Sequence, residues 1–171
     1  MSLAQPATVD DLLNYRLSCL LASSGAMTIR LCEGRFGITR REWRLIALLA
    51  AHGAMSPSEL AQRAHLERAR TSRHITELVA RKLMLRARDP QDGRRAEVEL
   101  TAAGRRVYEE LFPQSAGFHR QVVSVLTPRE LQAFDQALAK LTENAERIAA
   151  ARPVAEKADR RHGGARRVRG E

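Results

Sequence analysis

The sequence is 171 residues long, enough for one domain with a hydrophobic core, and carries a formal net charge of +9 with a pI near 10.8. No apolar run approaches the roughly 18 residues of a membrane span, and the opening MSLAQPATVDD has neither the basic start nor the apolar segment of a signal peptide. Two cysteines, Cys19 and Cys32, are too few for a disulfide framework, so a reducing cytoplasm and no membrane partner are expected.

Leu13, Leu17, Leu20, Met27 and Leu31 recur at helical spacing and predict a long first helix from about Val9 to Glu33. Phe36-Gly37-Ile38 breaks it. Thr39 caps a second helix, Arg40 to about Ala51, with Trp43, Ile46, Ala47 and Ala50 inward and His52-Gly53 at its close. Ser56-Pro57-Ser58-Glu59 is a start signal: Ser56 caps, Pro57 suits the first helical position, and Glu59 can reach back to complete a capping box. That helix ends near Ala64-His65, and Glu67 to Lys82 forms the next, burying Ile75, Leu78 and Val79.

Residues 85–101, LRARDPQDGRRAEVELT, alternate on both sides of an Asp-Pro and Asp-Gly break, which is the pattern of a β-hairpin. Leu85 and Ala87 should share one face and Arg86 and Arg88 the other, with Ala96, Val98 and Leu100 opposed to Glu97 and Glu99. The two charged sets are then placed to pair across the strands. Thr101 caps a helix through Tyr108, which Pro113 should kink or break near Phe112. A second box, Thr127-Pro128-Arg129-Glu130, opens a last helix to about Ala151. Its Leu131, Phe134, Leu138, Leu141, Ala145 and Ile148 step by three and four, a seam for another helix.

The fold class that follows is mainly α (α+β): a winged helix-turn-helix over about 39–101, with dimerisation helices over about 9–33 and 102–151, in one domain spanning 9–151. Leu13, Leu17 and Leu20 with Leu131, Phe134, Leu138 and Leu141 are the expected dimer seam. From Arg152 to Glu171, seven basic residues face three acidic ones, so this basic tail carries part of the charge and is expected to be disordered. A basic body with a basic tail suits a polyanionic partner, although solubility alone would explain as much.

On the longer middle helix, a step of about 100° per residue gathers Arg70, Arg73, His74, Glu77 and Arg81 opposite Ile75, Leu78 and Val79, with Thr71 and Ser72 beside them. These are groups that meet base edges and phosphates in a major groove. Ser56 and Ser58, at the start of the preceding helix, suit a phosphate. At the hairpin tip, Arg94 and Arg95 can reach the adjacent minor groove, and Asp92 can hold the Arg94 guanidinium.

Residues 56–104, SPSELAQRAHLERARTSRHITELVARKLMLRARDPQDGRRAEVELTAAG, resemble a MarR-family transcriptional regulator, above all Asp92-Gly93-Arg94 and Leu100-Thr101-Ala102-Ala103-Gly104. The order of flanking helices extends the resemblance to about Asp10–Ala151. It implies an obligate homodimer with interlocked terminal helices, a double-stranded, pseudo-palindromic DNA operator, and usually repression relieved by a small molecule. On that pattern Arg68 to His74 take the major-groove role, Arg94 the minor-groove role, and Asp92 supports Arg94. A small aromatic acid is the expected effector. Arg16, Cys19, Ser23 and Met27 on the first helix would receive it, Arg16 pairing with its carboxylate and Trp43 forming an aromatic wall.

Other chemistry finds little support. His52, His65, His74, His119 and His162 fall in different elements, and no P-loop or dinucleotide fingerprint is present, so neither catalysis nor a cofactor is expected. A metal site is not expected either, since His119 has no partner at helical spacing. Two alternatives stay open. One is a cysteine-based redox-sensing repressor, although 13 residues turn Cys19 and Cys32 about 220° apart on one helix. The other is an architectural DNA-coating protein with no effector.

Overall fold

The computed structural model describes residues 2–88 and 96–151. Its elements are α1 (Leu13–Phe36), α2 (Arg40–His52), α3 (Pro57–Arg63), α4 (Arg68–Ala80), β1 (Met84–Arg88), β2 (Ala96–Leu100), α5 (Ala102–Val123) and α6 (Pro128–Ala151). The chain divides into two units, residues 1–125 and 126–171, and α6 belongs to the second. The tip residues Asp92, Arg94 and Arg95 and the tail 152–171 lie outside the described residues.

Local signals set most helix ends. The hydroxyls of Thr39, Ser56 and Thr101 accept the N–H groups of Glu42, Glu59 and Gly104, satisfying donors that a first helical turn leaves orphaned. Gly37, at φ +60°, closes α1 in a left-handed conformation natural to glycine. At the start of α3 the expected box is only half made. The Glu59 carboxylate turns forward to Arg63 at 3.0 Å, one helical turn away, and not back to Ser56.

The core of the first unit forms where α2 is surrounded. Leu45, Ile46 and Leu49 of α2 are fully buried with Leu60 of α3, Ile75 and Leu78 of α4, Met84 and Val98 of the hairpin and Leu111 of α5. Each such side chain contributes about 1.5–3 kcal/mol by leaving water. β2 also pairs with Met55, whose N–H and C=O both bond Val98, so the wing is anchored to the segment before α3.

Three expectations are corrected. The first helix starts at Leu13, not Val9. Residues Val9–Asp11 form one 3-10 turn, because the Asp11 carboxylate accepts the N–H groups of Ser2, Ala7 and Thr8 and competes with helix propagation. The Ala7 bond, first among these, holds the Asp11 carboxyl below its ordinary pKa. Second, α5 runs on through Pro113. Pro113 and Glu109, whose carbonyl loses its partner, are both exposed, so the lost bond faces water. Third, the hairpin register pairs Arg86 with Val98, Leu85 with Glu99 and Ala87 with Glu97. Arg86 therefore shares a face with Val98, not with Glu97 or Glu99, and its expected pairing with those glutamates is not made. Arg86 turns instead toward α4, within 3.4 Å of the Thr76 hydroxyl.

Candidate nucleic-acid interface and ligand cleft

Helix α4 buries Ile75, Leu78 and Thr71 and leaves Arg68, Arg70, Ser72 and Arg73 exposed. Three cationic side chains thus crowd the first half of one helix with no described ion pair among them. Ser58 is exposed at the start of α3, while Ser56 is half-buried and occupied as its cap. Two expected DNA contacts are corrected by burial. Thr71 has no exposed surface, and its hydroxyl donates to the Glu67 carbonyl at 3.0 Å. His74 is turned inward, its Nδ1 3.8 Å from Glu42 and 3.4 Å from Glu77. Arg81 leaves that face as well: it donates to the carbonyls of Gly37 and Phe36 at 2.9 and 3.0 Å, tying the end of α4 to the end of α1.

A cleft of about 620 Å³ opens between α1 and α2. Ser18, Leu21, Ala22, Ile29 and Glu33 of α1 face Arg40, Arg41 and Arg44 at the start of α2, with Thr39 and Leu66 at the edge. A neighbouring hollow of about 330 Å³ shares Leu21, Arg40 and Arg44 and adds Gly25, Thr28, Trp43, Ala47 and Ser115. Gly25 leaves room for Arg40, whose Nη1 would lie 2.8 Å from a Cβ at that position. Arg44 is held by the Ala64 carbonyl at 2.9 Å. Burial pushes its pKa below the ordinary arginine value, with Arg40 and Arg41 adding to the effect, yet a guanidinium stays cationic at neutral pH. The cleft thus offers concentrated positive charge beside an apolar wall.

The expected effector residues are placed differently. Arg16, Cys19, Ser23 and Met27 each lie two positions, about 160°, from Ser18, Leu21, Gly25 and Ile29, and none of them lines the cleft. Of that set only Trp43 comes near, lining the neighbouring hollow and not the cleft itself. Trp43 is also core: its ring stacks on Tyr108 at 5.8 Å, and Tyr108 stacks on Phe112 at 5.2 Å. The missed residues are the arginines of Arg40-Arg41-Glu42-Trp43-Arg44. Their signal was legible as three like charges on one helical turn, but the partner face of α1 was not.

Cys19 is exposed and Cys32 fully buried. Burial, reinforced by the nearby Glu33 charge, pushes the Cys32 thiol up to about 11, which takes it out of the reactive range. Of the seam on α1, Leu13 and Leu17 are half-buried and Leu20 is exposed. On α6 no residue is buried, and Leu131, Phe134, Leu141 and Ile148 are all exposed while Leu138 is half-buried. No helix among the described residues is long and apolar enough to cross a membrane.

Comparison with known proteins agrees with this arrangement. The MarR family model matches residues 36–95, from the end of α1 to the residue before β2. The chain is 29% identical over 106 residues to the HTH-type transcriptional regulator FarR of Neisseria gonorrhoeae, covering 62% of this chain and 73% of that one. It is 27% identical over 123 residues to the homoprotocatechuate degradative operon repressor of Escherichia coli, covering 71% and 83%. The solved structure of NadR in complex with 4-hydroxyphenylacetate matches with a TM-score of 0.68 at 26% identity, covering 80% of this chain and 95% of that one. A short helix, a turn, an arginine-bearing helix and a two-stranded wing, in this order and with these relatives, make residues 36–95 a MarR-family segment, of the winged helix-turn-helix DNA-binding transcriptional regulators.

Proposed function

We propose that the chain is a homodimeric repressor that leaves a pseudo-palindromic operator when a small aromatic carboxylic acid enters the α1–α2 cleft. The observation that carries this reading is the cleft, where Arg40, Arg41 and Arg44 border Leu21 and Ile29, together with the neighbouring hollow, where Arg40 and Arg44 border Leu21 and Trp43. A carboxylate pairs with the guanidinium groups and a ring lies on the apolar wall, the combination that fixes small ligands in mostly apolar sites. The names of two relatives point the same way: one represses a homoprotocatechuate degradative operon, and one was solved with 4-hydroxyphenylacetate.

On the DNA side, Arg68, Arg70, Ser72 and Arg73 enter the major groove, Ser56 and Ser58 meet a phosphate, and the wing brings Arg94, supported by Asp92, and Arg95 to the minor groove. The open leucine seams of α1 and α6 bury against a second copy, which sets two recognition helices about one DNA turn apart. A ligand releases DNA only by its preference for the DNA-incompetent state.

The test selects operator fragments with the purified protein. It then measures their release by benzoic, hydroxybenzoic, cinnamic, nicotinic-type and arylacetic acids. At least one class should release the operator, and Arg40→Ala should blunt release while leaving operator affinity intact. Selection of a defined palindrome with no release by any acid at millimolar concentration would remove the effector from this reading and keep the operator.

A further inference from the structure

We propose that Glu42, His74 and Glu77 form a binding site for a divalent transition-metal cation of the zinc type, joining the start of α2 to the middle of α4. Nδ1 of His74 is fully buried and has no hydrogen-bond partner, an expensive state for a ring nitrogen. Two carboxylates flank it without relieving it. Glu77 Oε2 stands at 3.4 Å and Glu42 Oε1 at 3.8 Å, and neither meets the ring in hydrogen-bonding geometry. The three ligand atoms all lie within 4.8 Å of one another.

That spacing is what a shared cation requires. Zinc–nitrogen and zinc–oxygen bonds of about 2.0–2.2 Å in a tetrahedron put ligand atoms about 3.3–3.6 Å apart. The two distances from His74 are already close to such an edge. One imidazole nitrogen and two carboxylate oxygens suit zinc, whereas calcium would demand more oxygens. Two carboxylates and a neutral imidazole sum to the charge that a divalent ion neutralises. The other oxygen of Glu42, Oε2, accepts the Thr39 N–H at 2.6 Å, which orients the carboxylate as second contacts orient metal ligands. The Glu77 side chain is 52% exposed, leaving an entry path and an open position for water.

The site pins the DNA-facing helix to the helix that carries the arginines of the cleft. Metal occupancy would therefore act on the orientation of α4 from a position distinct from the cleft. The expectation from sequence that no metal binds is revised by this inference. It overlooked the trio because Glu42 lies more than thirty positions from His74, on another helix.

The experiment uses the full chain, stripped with a chelator and titrated with zinc and with cobalt(II) by calorimetry, absorbance and thermal unfolding. One equivalent per chain should bind, raise the unfolding temperature, and give a cobalt spectrum without a thiolate charge-transfer band. His74→Gln and Glu77→Gln should each weaken binding by at least about tenfold, and Cys19→Ser should not. Because the Glu77 side chain is half exposed, Glu77→Gln keeps the test valid even where His74→Gln fails to fold. No saturable equivalent, unchanged affinity in Glu77→Gln, or loss of the site in Cys19→Ser would overturn the proposal.

Discussion

Gly104 occupies a position where no side chain fits, since a Cβ there would run into the carbonyl oxygen of Leu83. That same carbonyl accepts the Thr101 N–H at 3.2 Å, and Thr101 caps α5, so the approach of α5 to the root of the wing depends on a missing methyl group. Gly104→Ala should destabilise the fold by about 1–3 kcal/mol, read from urea unfolding; an unchanged midpoint would mean that the junction yields freely. Cys32 illustrates the electrostatic side of burial. Its folded thiol titrates near 11, above its unfolded value. The stability linked to it is therefore complete below the unfolded pKa and is lost as pH rises toward 11. Near neutral pH, maleimide should add once per native chain, at the exposed Cys19, and label Cys32 only after unfolding.

At the scale of elements, α5 shows how neighbours override propensity. Proline inside a helix costs about 3 kcal/mol, yet Ala102–Val123 stays helical because α5 is packed on α1 and α2. The Gln114 side chain adds a bond to the Glu110 carbonyl at 2.9 Å beside the interruption. Pro113→Ala should therefore stabilise the protein by about 1–3 kcal/mol, visible as a higher unfolding temperature. A fall would show that α5 needs the proline's local geometry. The recognition helix obeys the same rule in reverse: Thr71 and His74 have polar side chains suited to DNA, and contacts with the rest of the fold turn them inward.

At the scale of the molecule, α6 has no buried residue and an exposed apolar stripe. A stable dimer at micromolar concentration is the expected sedimentation result, and a stable monomer would remove both the dimer and the palindrome from the proposed function. The wing belongs to this scale too, because the proposed function brings its arginines to DNA only through the whole dimer. Arg94→Ala should weaken operator binding by about 1–3 kcal/mol and flatten the salt dependence by about one unit. Unchanged affinity in a folded dimer would show that the wing tip stays clear of DNA.

Much of this was legible in the amino-acid sequence because the governing rules are short in range. Thr39, Ser56, Thr101 and Thr127 each begin a helix at the position that an i to i+3 cap dictates, and the order of helix, turn, helix and hairpin follows from apolar periodicity. Faces and partners were not legible. A one-residue change of register exchanges the two faces of a strand, so the alternation in residues 85–100 was recognised while its Arg–Glu pairing was misjudged. Likewise a helix with polar groups on two sides does not say which side opens onto a cleft. Only the packing of α2 against α1 gave that role to the face of Leu21, Gly25 and Ile29, away from Arg16 and Cys19, and brought Arg40 and Arg44 opposite it. The contact of Glu42 with His74 also belongs to tertiary structure, since residues on separate helices meet only when the core between them closes.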